Sequence, residues 1–227
     1  MDTQRAVSQI MGLVFAVAAS AVAAQDPPET SHDGLTLVKH TTSRAVYMAP
    51  GASLEQYQRI HLQEAHVAFK KNWQRDYNRT VIGLERRISD DDADKIRQDL
   101  AAEFKKVFTD ELETKGGYEI VDVAAEDVLI LVPAIINLDV TAPDTNTPGM
   151  SRTFTASAGE MTLYLELYDS VSRSIIARII DAQADRSAGS FGLGGSVSNR
   201  ADADRILRRW ADLLRGHLAD VEADSGA

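Results

Sequence analysis

Between Met161 and Asp185 the chain reads MTLYLELYDSVSRSIIARIIDAQAD, and no other run limits the available folds as much. Met161, Leu163, Leu165 and Leu167 fall on one side of an extended chain, and Thr162, Tyr164, Glu166 and Tyr168 fall on the other. A period of two is the period of a strand, because successive side chains point to opposite faces. Asp169, Ser170 and Ser172 then provide short side chains that bond nearby backbone and favour a turn. The return arm starts at Ser174. Ile175, Ala177 and Ile179 are expected on one face, with Ile176 and Ile180 on the other and Arg178 between them. Branched and aromatic side chains suit a pleated, half-buried surface. The stretch therefore predicts a long β-hairpin in the middle of a sheet.

A second long strand is predicted from Asp127 to about Thr141. Val128, Ile130, Val132, Ala134, Ile136, Leu138 and Val140 all stand at even positions, while the odd positions change from Leu129 and Leu131 to Asn137 and Asp139. Such a strand starts buried on both faces and ends buried on the even one. Pro133 removes a ladder donor, which predicts a sheet edge or a bulge at that point.

Residues Leu54 to Phe69 read as a strand that changes phase: Ile60 and Leu62 are even, Ala65, Val67 and Phe69 odd. A bulge near Gln63 and Glu64 reconciles the halves. Lys70 to Arg79 is polar around Trp73 and Tyr77. From Ser89 to Lys115 an apolar stripe recurs at steps of three and four (Ala93, Ile96, Leu100, Phe104, Val107, Phe108, Leu112), which predicts a helix. Ser89 or Asp90 caps it, Asp90, Asp91 and Asp92 oppose the positive end of its dipole, and Gly116-Gly117 stops it. Tyr118 to Val123 follows as a short strand. A terminal helix, capped by Asn199 or Asp202, carries Ala203, Ile206, Leu207, Trp210, Leu213, Leu214 and Leu218 on its apolar face. The predicted fold class is α/β (α+β): a mixed, mostly antiparallel sheet with a long hairpin, covered by two main helices.

The N-terminus reads as an address. Arg5 precedes an apolar run from Ile10 to Ala19, and Ala21-Val22-Ala23 has the small-x-small pattern of a cleavage site. Residues 1–24 are expected to be a signal peptide cut near Ala23 or Ala24, residues 25–33 a polar tether, residues 34–222 a single α/β domain and residues 223–227 a frayed tail. The apolar run is short for a membrane span. The 227 residues contain no cysteine, which excludes disulfides, thiolate metal sites and a lipid carried on an N-terminal Cys. The expected mature chain is periplasmic, without a transmembrane segment or a lipid anchor. A formal charge of −10 opposes binding to nucleic acid.

Several candidate chemistries can be weighed. The run Asp90, Asp91, Asp92, Asp94 lacks the spaced oxygens and the glycine of a calcium loop and reads as a helix cap. Gly189-Ser190-Phe191-Gly192-Leu193-Gly194-Gly195 lacks the lysine and the glycine spacing of phosphate loops. Phe191 and Leu193 within it are candidate partner contacts. His61 and His66 lie five apart, on opposite faces of a regular strand; a bulge between them brings them to one face. No HExxH or Gly-x-Ser-x-Gly pattern occurs, so no catalytic residue, metal ligand or cofactor site is assigned. Trp73, Tyr77, Tyr164 and Tyr168 form an aromatic set that either lines a ligand groove or packs between a sheet and its helices. The mixed charges of the terminal helix, Arg205, Arg208, Arg209 and Arg215 among Asp202, Asp204, Asp212 and Asp220, read as a solvated face.

The segment from Glu126 to Arg186, together with Pro50-Gly51-Ala52-Ser53-Leu54-Glu55-Gln56-Tyr57 and the Gly116-Gly117-Tyr118 junction, resembles the proteobacterial envelope family catalogued as domain of unknown function 3313. That family carries a secretion signal, often a lipoprotein one; this chain departs from it in lacking the lipid-bearing Cys. The resemblance implies no catalytic residues. It implies an exported, soluble, non-catalytic accessory protein that binds another envelope protein, an analogy of fold. Two alternatives stand beside it: a periplasmic carrier of a small ligand, with residues 142–158 as a lid over the aromatic face, and a hydrolase with no recognisable motif.

Overall fold

The computed structural model describes residues 26–83, 87–140, 158–184 and 196–225. Eight strands form one sheet: β1 (Thr36–His40), β2 (Arg44–Met48), β3 (Arg59–Leu62), β4 (His66–Phe69), β5 (Glu119–Ile120), β6 (Val128–Val140), β7 (Ala158–Asp169) and β8 (Ile175–Ala184). Their order is β1-β2-β8-β7-β6-β3-β5, and β4 also pairs with β6. The pairs from β1 through β6 are antiparallel, whereas β3 and β4 run parallel to β6. Three helices accompany the sheet: α1 (Trp73–Thr80), α2 (Asp90–Thr109) with a π-helical extension (Asp110–Lys115), and α3 (Ser196–Ser225). The fold is the expected mixed α+β one.

The hairpin forms as its alternation dictates. Met161, Leu163, Leu165 and Leu167 are all buried on one face of β7. Each contributes about 2 kcal/mol of apolar burial. Asp169 makes the turn: one carboxylate oxygen accepts from the Val171 and Ser172 backbone N–H groups, at 3.1 and 2.6 Å. The pairing slips between Leu167 and Tyr168, so that Tyr168 opposes Ile175 while Leu167 opposes Ala177. The slip turns Ile175 and Ile176 over. Ile176 packs against the main core with Ala177 and Ile179, and Ile175 joins Ile180 on the opposite face, the reverse of the expectation for these two residues.

β6 is an interior strand, buried on both faces from Val128 to Leu131 and on the even one at Leu138 and Val140, as expected. The core face runs through the odd residues Leu129, Leu131 and Ile135, then changes to Leu138 and Val140. Asn137 sits at φ 55 where the β6–β7 register shifts, and this extra residue inverts the phase. Asn tolerates the left-handed region because its short amide can bond locally. Pro133 is not at a sheet edge. It lies opposite the break between β3 and β4, whose pairing ends at Leu131 and resumes at Ala134, so no partner there requires its missing donor. The break is the bulge expected near Gln63 and Glu64. Ile60, Leu62, Ala65 and Val67 are all buried despite their change of parity.

The long helix is capped as predicted. Ser89 Oγ accepts from the Asp92 N–H at 3.2 Å, and the Asp92 carboxylate accepts from the Ser89 N–H at 3.0 Å. At the other end, a Cβ at Gly116 would stand 2.6 Å from the Leu112 carbonyl oxygen, and Gly117 takes φ 76. Only glycine fits this exit. Phe104 and Phe108 stack with centroids 3.9 Å apart, and with Leu112, Leu207, Trp210 and Leu214 they build the core between α2, α3 and the sheet. The polar segment after Lys70 forms α1, a helix that the sequence pattern did not signal. Its Trp73 Nε1 donates to the Val140 carbonyl at 3.0 Å.

The sheet thus has two unlike faces. One lies under the helices. The other carries a small separate core of Leu35, Ala45 and Tyr47, and the strap of residues 28–35 crosses it. That strap includes residues expected to be a free tether. Instead the Tyr47 hydroxyl donates to the Pro28 carbonyl at 3.2 Å and the Leu37 N–H donates to the Glu29 carbonyl at 2.8 Å.

Candidate functional site

The face away from the helices carries a cluster of interacting polar side chains centred on Arg178. Strand period places Tyr164, Glu166 and Tyr168 on the same side of β7, and register sets Glu166 opposite Arg178, which stands opposite Tyr47 on β2. The strap adds Asp33. Its turn is shaped by the Leu35 N–H donating to Ser31 Oγ at 2.9 Å and by Gly34 at φ 86.

Arg178 is 5% exposed and is held on both sides. Its Nε and Nη2 donate to Glu166 Oε1 at 3.0 and 2.7 Å. Its Nη1 donates to Asp33 Oδ1 at 2.9 Å, and Nη2 donates to Asp33 Oδ2, so the fork is bidentate. The guanidinium carbon lies 5.5 Å from the Tyr164 ring centroid. Tyr164 and Tyr168 donate their hydroxyls to the two oxygens of Glu166, at 3.1 and 2.7 Å. Burying a guanidinium is costly unless its donors are used, and here they are.

The electrostatics follow from this geometry. The hydrogen bonds from Arg178 hold the Asp33 carboxyl well below the usual carboxylate range, against a smaller opposing effect of burial. Burial, reinforced by the Glu166 charge, pushes the Tyr164 hydroxyl far above its ordinary value. Burial and the bond to Glu166 do the same to Tyr168. Burial alone would lower Arg178, but its bonds to Asp33 and Glu166 outweigh it, and the guanidinium is held more firmly protonated. Elsewhere Asp169 is lowered by the Ser172 backbone and side-chain bonds, and Asp127 by its bond from Arg59. Tyr57 is raised by burial.

The sequence candidates separate. Tyr164 and Tyr168 belong to this cluster. Trp73 does not: it is 6% exposed and stacks on Phe69 at 4.1 Å within the core on the helix side. The aromatic set is therefore split between the two faces. Phe191 and Leu193 lie outside the described residues. His61 and His66 pair with Ile130 and Ala134, so the bulge does bring them to one face of the sheet. Among the described residues, no group of three or more His, Cys, Asp or Glu side chains is placed to hold a metal ion. Nor is any helix there long and apolar enough to cross a membrane. Glu166 and Arg178 were not singled out by the sequence, although a lone arginine between isoleucines in one hairpin arm, facing a lone glutamate in the other, was a usable sign. Asp33 carried none.

Residues 29–214 match the model of a family described as a protein of unknown function, DUF3313, and the chain belongs to that family. Comparison with curated proteins finds no match. Among solved structures, the PelC dodecamer from Paraburkholderia phytofirmans is 10% identical, with 73% of this chain and 96% of that one covered and a TM-score of 0.36. A Xanthomonas campestris protein described under DUF330 is 14% identical, with 79% of this chain and 94% of that one covered and a TM-score of 0.40.

Proposed function

We propose that this member of the DUF3313 family is an exported, non-catalytic binding module of the cell envelope, whose partner is another envelope protein. One observation carries the non-catalytic part. Every displaced proton affinity among the described residues moves away from neutrality: Asp33, Asp127 and Asp169 fall, Tyr57, Tyr164 and Tyr168 rise, and Arg59, Arg178 and Arg208 rise. A general acid or base works best with its pKa brought toward the operating pH. The cluster around Arg178 does the reverse, fixing each group in one protonation state, which suits recognition rather than proton transfer. Export to the periplasm rests on Arg5, the apolar run after it and the Ala21-Val22-Ala23 pattern. Phe191 and Leu193 join Tyr164 and Tyr168 as candidate contacts, now without Trp73, whose burial removes it from any surface.

Photoreactive side chains placed at Phe191, Leu193 and Tyr168 in intact cells test the reading. The expected result is one discrete adduct with an envelope protein, absent from a control at the exposed Lys105, on a chain whose mass fits cleavage near Ala23 or Ala24. An unprocessed chain in the cytoplasm would refute export. Turnover abolished by a single conservative polar substitution would refute the non-catalytic role. A discrete small molecule seen by native mass spectrometry would favour the carrier alternative.

A further inference from the structure

The cluster on the strap side contains two carboxylates for one guanidinium, and they are not equivalent. Glu166 is built into β7 and is held by two tyrosine hydroxyls. Asp33 sits on the turn of a strap that ties to the sheet at few points. Its neighbour Leu35 anchors in a small core separate from the main one, and its outer residues are held by the Tyr47 bond to Pro28 and the Leu37 bond to Glu29. Between Asp33 and Leu35 stands Gly34 at φ 86, a backbone position that can swing without side-chain hindrance.

We propose that residues 28–33 are a latch whose catch is the Asp33–Arg178 ion pair, and that the latch has an open state in which Arg178 remains paired with Glu166 alone. The geometry makes the open state accessible. A buried arginine stripped of its only partner would be left as an uncompensated charge, which is strongly unfavourable. Here Glu166 keeps the Nε and Nη2 bonds at 3.0 and 2.7 Å when Asp33 leaves. Opening lifts the strap from Tyr47 and Arg178 and releases residues 28–33, a reach of about 20 Å at roughly 3.4 Å for each released residue. The latch is a property of the fold and stands or falls independently of export or of any partner.

Amide hydrogen exchange on the full chain tests it. The reporters are the N–H groups of Ser31, Gly34, Leu35 and Leu37, each bonded within or onto the strap. With Asp33→Asn, exchange at these amides rises by about tenfold or more, while β7 and α2 are unchanged, because loss of a charge-assisted bidentate bond is felt locally. With Glu166→Gln, Asp33 keeps its full charge on Arg178 and the strap stays protected. Unchanged exchange in Asp33→Asn overturns the proposal. So does an equal acceleration of β7 and α2, which would make Asp33 a general structural residue. Opening by Glu166→Gln to the same degree would remove the assigned asymmetry and also overturn it.

Discussion

The two faces of the sheet are closed by different means. Under the helices, Leu129, Leu131, Ile135, Leu163, Leu165 and Leu167 meet Phe104, Phe108, Leu207 and Trp210 in one continuous apolar cluster. Across the strap side, a few apolar side chains surround a guanidinium shared by two carboxylates. Helices with wide apolar stripes exclude water over their whole length, so the sheet beneath them is mainly hydrocarbon, with the buried Asp181 held by Arg44 as a charged exception. A single strap of chain has too little surface for that. The face below it retains polar groups, and these are tolerable because each is paired. Stability is expected to reside in the first face, and adaptability in the second.

The largest effect should come from the helix side. Phe104→Ala removes a fully buried, stacked ring and is expected to cost about 4 kcal/mol, read from the shift in denaturant midpoint. Arg178→Met should cost somewhat less, about 3 kcal/mol, since it leaves the largely buried Glu166 without its cation, while the partly exposed Asp33 can turn to water. If Arg178→Met proved the more damaging of the two, the assignment of stability to the helix side would be wrong.

Acid separates the faces further. The folded-state pKa of Asp33 is depressed, so its contribution is fully present above the unfolded value, near pH 4, and is lost as pH falls through the depressed one. Stability of the parent chain should therefore decline below about pH 4, and Asp33→Asn should flatten that decline. Asp169 and Asp127 are shifted the same way and will leave a residual slope. A pH profile identical in the two proteins would show that the strap pair contributes nothing. The smallest effect expected is Ser89→Ala, about 1 kcal/mol, from loss of the capping box on α2. It should appear as faster amide exchange in the first turn of that helix, with the strap amides unaffected.

Local pattern made much of this architecture readable in advance. Alternation announced the hairpin, the spacing of three and four announced α2, and Ser89 with the following aspartates announced its cap. The change of parity between Leu62 and Ala65 revealed a bulge before any pairing partner was known. Two details that escaped it share a cause. Ile175 and Ile176 exchanged faces, and the core side of β6 switched from odd to even partway along the strand, because of single-residue slips in register. Such slips are set by the fit of one strand to its neighbour. Unlike the break after Leu62, these two left no interrupted parity in the sequence, and each one turns every following side chain over.

The site shows the same division. Tyr164 and Tyr168 were identifiable as aromatic residues on the polar face of a strand, and Trp73 was equally identifiable as an aromatic residue in a polar stretch. Only packing placed the first two beside Arg178 and buried the third against Val140 on the other side of the sheet. By itself the sequence determined most of the elements, the cap of α2 and the apolar face of the main hairpin, because these depend on neighbours within a few residues along the chain; α1 carried no such signal, and α3 begins at Ser196, ahead of the Asn199 and Asp202 expected to cap it. The tertiary structure alone decided that Asp33 reaches Arg178 across 145 positions, and that a segment resembling a tether is a docked strap. A contact of that span is decided by which face of the completed sheet is left open, and no local period encodes it.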